Sequence, residues 1–157
     1  MRIFCLLVVI LALAACAESA RDSLDQARQA LSEARYTDAI AAADIGLGRA
    51  GDDVITWGLE LVKLEALARE GRGDETLAQL EQLAGSRPEN VPPTQYSTTA
   101  DQLRTAGQGA AAIAVLDLGL KRFPEDQTLL DLIEQAKAAP AAGSDELEML
   151  RSLGYIE

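Results

Sequence analysis

Three turns at a nearly fixed interval limit what this chain can fold into. Ala34, Gly71 and Gly107 open equivalent turns, 37 and then 36 residues apart. Five residues after each comes Ala39, Thr76 or Ala112, followed by an apolar Ile40, Leu77 or Ile113. Pro88 and Pro124 close two of the units at the same offset. A period of this size is the mark of one supersecondary unit, repeated so that each copy buries its apolar face against the next. Between the turns Ala, Leu, Glu, Gln and Arg dominate, and aromatic residues make up only 4%. Intrinsic preference and apolar spacing therefore both favour helix. Breaks fall at Gly51-Asp52-Asp53, Gly71-Arg72-Gly73, Arg87-Pro88 to Pro93, Gly107-Gln108-Gly109, Phe123-Pro124 and Pro140 to Ser144. They delimit helices of roughly 12 to 17 residues, and the sequence predicts an all-α chain of about three helical hairpins.

The pattern resembles the tetratricopeptide repeat (TPR), a helical hairpin of about 34 residues that stacks into a superhelix. The residues that carry the resemblance are Ala27, Ala30, Tyr36, Ala39 and Leu47 in the first unit, and Gly71, Leu77 and Pro88 in the second. In the third they are Tyr96, Ala100, Gly107, Ala112, Leu120 and Pro124. Small residues at such positions let two helix backbones approach closely. Over residues 16–138 the resemblance implies a short right-handed superhelix of TPR-like hairpins. A capping helix from Glu125 to Ala138 is expected to end it, with Leu129, Leu132, Ile133 and Ala136 on one stripe. Thr76 and Leu64 stand where the family prefers Ala or Gly, which tells against the family's tight packing in the second hairpin but not against the helical array. In such arrays the first helix of each hairpin lines a concave groove that meets partners. Carried over residue by residue, that groove comprises Leu24, Arg28, Leu31, Leu61, Glu65, Ala68, Arg69, Ser97, Asp101 and Arg104.

The first residues carry a second resemblance. Arg2 precedes an apolar run from Ile3 to Leu13, too short to cross a bilayer, and the run ends in Leu13-Ala14-Ala15-Cys16. This resembles the signal and lipobox of bacterial lipoproteins, with residues 1–15 removed. The resemblance implies a diacylglyceryl thioether on Cys16 and an acylated amine, and two or more chains anchor stably where one does not. Ala17 follows the cysteine; an Asp there usually marks retention at the inner membrane, so the implied address is the outer membrane, facing the periplasm. The alternative is an ordinary secretory signal cleaved near Ala17.

From Cys16 onward the chain has 142 residues, enough for one modest domain. Cys5 and Cys16 are the only cysteines, so a lipidated Cys16 has no disulfide partner once the signal is gone. The formal charge is −11, which disfavours nucleic acid and anionic lipid surfaces. Histidine is absent, which removes the commonest general base and metal ligand. No spaced Asp loop, phosphate-cradling glycine loop or nucleophile with a base is present, so the sequence implies no metal, no cofactor and no enzyme. Asp52-Asp53 and Asp74-Glu75 fall where helices start and suit capping rather than catalysis. Trp57, the only tryptophan, suits packing between hairpins better than a ligand platform.

After a small-residue linker at 139–144, residues 145–157 resume helical order. Asp145 can cap with Glu148 reaching back, Leu147, Leu150 and Leu153 share a side, and Gly154 suits a stop before Tyr155 and Ile156. The run Leu150 to Ile156 resembles the C-terminal end of many bacterial sulfatases and some repeat proteins. The tail can serve either as a clamp on the array or as a docking peptide. Taken together, the expected protein is a periplasmic lipoprotein adaptor or scaffold whose envelope partner is a protein or peptide. The alternatives are an accessory or small hydrolytic enzyme and a self-associating structural lipoprotein.

Overall fold

The structure is a computed structural model and describes residues 19–138 and 144–157. The expected signal at 1–15, Cys16 and nearly all of the expected linker lie outside the described residues. Among the described residues every regular element is helical. Helix α1 (Ala20–Ser32) pairs with α2 (Tyr36–Leu47), α3 (Asp53–Glu70) with α4 (Gly73–Ser86), and α5 (Pro93–Thr105) with α6 (Gly109–Arg122). Helix α7 (Gln127–Ala138) follows, and α8 (Ser144–Ser152) carries the tail. A short 3-10 turn at Pro88–Asn90 joins the second hairpin to the third.

The period in the sequence is a period in backbone conformation. Ala34, Gly71 and Gly107 all adopt left-handed backbone, at φ 57°, 80° and 78°. In each turn the following N–H closes a six-residue loop, Arg35 to the Ala30 carbonyl, Arg72 to Leu67 and Gln108 to Leu103, at 2.8–3.0 Å. These bonds satisfy carbonyls that the helix end leaves open. The next helix starts at once in every case. The first two turns also share an ion arrangement: Arg35 bridges Glu33 and Asp38, and Arg72 bridges Glu70 and Glu75. The third turn has Ala106, Gln108 and Ala111 at those places and is uncharged.

Equivalent interior positions are buried in all three hairpins. Ala27, Leu64 and Ala100 share one such position, and Ala39, Thr76 and Ala112 another. Thr76 fits a dry site because its hydroxyl donates to the Arg72 carbonyl at 2.8 Å. At a third position a Cβ on Gly46 would meet Leu59 and Ser23 at 2.8–2.9 Å. One on Gly119 would meet Leu129 and Tyr96 at 3.0 Å. Both glycines therefore sit where their own partner helix and the next element, α3 for Gly46 and the capping helix for Gly119, press together. The second hairpin has Leu83 at the equivalent place, and α3 and α4 make far fewer close approaches than the other two pairs. The looser second hairpin thus has a cause beyond Leu64 and Thr76.

The open end of that hairpin is held by side chains instead. Arg87 lies over the Trp57 ring, 5.6 Å from its centroid, and donates to the Asp53 carbonyl and carboxylate at 3.2 and 3.3 Å. Trp57 is accordingly a half-buried packing residue. Asp52 caps α3 by accepting from the Val54 and Ile55 amides, whereas Asp74 and Glu75 lie in the first turn of α4.

The capping helix begins at Gln127, two residues later than expected, because Asp126 accepts from the Leu129 amide and starts it there. Leu129 and Ile133 are fully buried, and Leu132 and Ala136 pack beside them. The tail folds back on α6. Leu150 is wholly buried, while Met149, Leu153, Tyr155 and Ile156 pack against the same core. Two expectations for the tail are corrected. Helix α8 starts at Ser144, which places Asp145 inside its first turn rather than at its cap. Leu147 and Met149 are both half-buried, and of the two it is Met149 that packs against the core.

Candidate interaction cleft

Helices α5, α6 and α7 leave a cleft of about 630 Å³ between them, to whose lining α8 adds Glu146. Its floor is Ala100, Ala112, Ile113 and Leu116, and Leu132 and Ala136 form the α7 wall. The room exists because small side chains recur where these helices face one another: Ala100 from α5, Gly109 and Ala112 from α6, Ala136 from α7. Larger residues below them, Tyr96, Leu103, Val115 and Leu129, fill the crossing and fix the spacing.

Charge is confined to the rim. Arg104 donates to Asp101 at 2.6 Å, and both side chains are well exposed. Such a surface pair contributes little to stability and can exchange partners at small cost. Across the cleft the Glu146 carboxylate lies against Gly109, the first residue of α6, so close that a Cβ there would overlap it. A carboxylate at this place answers the positive end of the helix and fixes the start of the tail. Further along α6, Asp117 accepts from the Tyr155 hydroxyl at 3.0 Å and from Lys121 at 2.7 Å. Burial, reinforced by the bond to Asp117, pushes the Tyr155 phenol up to about 12. The Asp117 hydrogen bond and charge raise Lys121 as well.

Of the ten groove residues expected from the sequence, Asp101 and Arg104 line this cleft. Leu24 and Ala68 are corrected: at 6% and 0% exposure they belong to the core. Leu24 lies over Gly58 of α3, and Ala68 packs in the main cluster. Leu31 and Leu61 are half-buried against the same clusters, Glu65 and Arg69 pair with each other at 2.7 Å, and Ser97 donates to the Thr94 carbonyl. Arg28 is exposed on α1 beside Gly58. These residues do not converge on the cleft.

The cleft residues that sequence reasoning missed come chiefly from α6, α7 and α8. Their signal was available in the alanines at 112 and 136, which leave space when they face one another, but a groove carried over from first helices alone omits them. A second hollow of about 390 Å³, beside the Gly71 to Glu75 turn, is bordered by α6 and by Met149 of the tail. Among the described residues no group of three His, Cys, Asp or Glu side chains is arranged to hold a metal ion, and no helix is long and apolar enough to cross a membrane. No family model, curated protein or solved structure matches this chain.

Proposed function

We propose that the protein is a TPR-like lipoprotein of the cell envelope. It is anchored through Cys16 to the periplasmic face of the outer membrane and acts as a protein-interaction adaptor. The reading rests chiefly on the cleft, an apolar trough framed by three helices with exchangeable charge at its rim. A trough of this form suits the apolar side of a peptide or amphipathic helix, with Asp101 and Arg104 setting register. The periodic turns and the small residues at equivalent crossings support the repeat assignment. The Leu13 to Cys16 lipobox supports the anchor.

Ala136→Arg places a long charged side chain in the cleft from its half-buried wall. In membranes crosslinked before solubilisation, this variant is expected to lose the envelope proteins that the wild type retains, with its helix content unchanged. Recovery of the same proteins at the same yield would sink the cleft as the contact surface. The anchor is tested separately by palmitate labelling in a lipoprotein-competent host, where Cys16→Ala is expected to abolish the label.

A further inference from the structure

The folded array begins almost at the proposed anchor. The Ser19 hydroxyl accepts from the Asp22 amide while the Asp22 carboxylate accepts from the Ser19 amide, and this reciprocal cap starts α1 at Ala20. Ser19 is three residues beyond Cys16. Whatever path Ala17 and Glu18 take, a trans backbone extends at most about 3.6 Å per residue, so the Ser19 Cα that caps α1 stays within roughly 11 Å of the Cys16 Cα. Helix α3 alone, with 18 residues, is about 27 Å long. The tether is therefore far shorter than the body it holds, and one edge of the array is kept beside the bilayer.

The structure identifies that edge. Gly46 near the end of α2 lies against Ser23 in the first turns of α1 and against Leu59 in the first turns of α3. The connection from α2 to α3 is thus next to the start of α1. At this corner Val54 is 79% exposed, the most exposed large apolar residue among those described. Asp52 holds its amide in the cap of α3, so the side chain is displayed from a fixed backbone. Nothing within the described fold uses it.

We infer that this corner, Val54 with the adjoining α2–α3 connection, is the membrane-facing surface of the array and rests in the headgroup layer of the bilayer that holds its own anchor. The inference rests on the proposed lipidation of Cys16. One valine binds no membrane unaided, but a three-residue tether raises its effective concentration at the surface, and that converts a weak contact into an orientation. The net acidic charge gives no attraction to anionic lipid, so the contact is with a zwitterionic surface.

The test uses the lipidated mature chain in phosphatidylcholine vesicles. A single environment-sensitive fluorophore is attached through Val54→Cys or, as the distant reference, Ser32→Cys at the far end of α1. Intact mass first establishes the lipid; a chain without it sinks the anchor and this inference together. With lipid present, emission from position 54 is expected to shift to the blue and to be quenched by headgroup-level quencher lipids, while position 32 is unaffected. A flexible spacer inserted between Glu18 and Ser19 is expected to abolish the quenching at 54 with the lipid retained. Aqueous emission at 54 on the short tether, or equal quenching at both positions, overturns the inference and leaves the anchor standing.

Discussion

Gly119 shows how much of the fold is decided by single side chains. Its missing Cβ admits the Tyr96 ring from its own hairpin and Leu129 from the capping helix at once. Gly119→Leu is expected to force these apart and cost roughly 1–3 kcal/mol, read as a lower denaturant midpoint. Gly85 is the contrast, a helical glycine of α4 with nothing near its would-be Cβ. There Gly85→Ala is expected to stabilise by about 0.4–1 kcal/mol, through restriction of the unfolded chain. Equal effects of the two changes would mean that the α5–α6 crossing is not as close as described. Tyr155 supplies a residue-scale test of a different kind. Its phenol is raised above the unfolded value of about 10, so it favours the neutral, folded form. That contribution is fully present below about pH 10 and is lost as pH rises through the folded value near 12. Alkaline denaturation is expected to begin with the tail, and Tyr155→Phe is expected to remove that part of the pH dependence. An identical alkaline profile in the variant would show that Tyr155 is already solvated. Glycines with left-handed backbone, Gly71, Gly107 and Gly154, were legible in the sequence because only glycine takes that conformation without strain. Ala34 was legible only through the period, since its residue type gives no such signal.

Elements explain why the tail settles where it does. Corresponding outer positions on α2 and α4 carry Asp38 and Glu75, each tied to an arginine in the turn before it. On α6 the equivalent residue is Ala111, its neighbours are Ala110 and Ala114, and the turn before it is uncharged. Ala111 itself packs on Gly73 of α4, and Met149 of α8 borders the same hollow as Ala110 and Ala114, so the tail lies on the one hairpin whose turn carries no charged pair. The stripe on α8 was readable from the sequence, but its seat was not, because a helical stripe says that a partner exists without saying which. The two uses of the tail that sequence left open have different consequences. Leu150, wholly buried, is expected to cost about 2–5 kcal/mol on replacement by alanine, as for other core leucines. Deleting residues 144–157 is expected to lower the melting temperature of the soluble domain. A truncated domain that melts like the full chain would return the tail to the role of a docking peptide.

At the scale of the whole molecule, the core is unevenly built. The packing around α1 and α2 relies on alanine at 27, 30, 39 and 43, with Leu24, Ile40 and the near side of α3. Around α5 and α6 it is larger and more continuous, running from Leu64 through Tyr96, Leu103, Val115 and Leu129 to Leu150. The buried polar atoms without hydrogen-bond partners among the described residues follow the same division. Ser23 Oγ, Glu60 Oε2 and Gln79 Nε2 all belong to the first two hairpins. Each such atom costs roughly 1–3 kcal/mol relative to a satisfied one. Periodicity alone suggests three equal units, and this inequality was hidden because it depends on what each equivalent position meets in the neighbouring unit. Repeat arrays open in units rather than all at once when their interfaces differ in strength. Hydrogen exchange of the native protein is therefore expected to find α1 and α2 opening at lower free energy than α6, with α3 between them because it packs on both sides. Leu150→Ala sharpens the test, since it acts only on the C-terminal side: it is expected to lower protection in α6 towards that of α1, with little change in α1 itself. Equal protection of α1 and α6 in the wild type, falling together in the variant, would mean that the array unfolds as one cooperative body despite its uneven core.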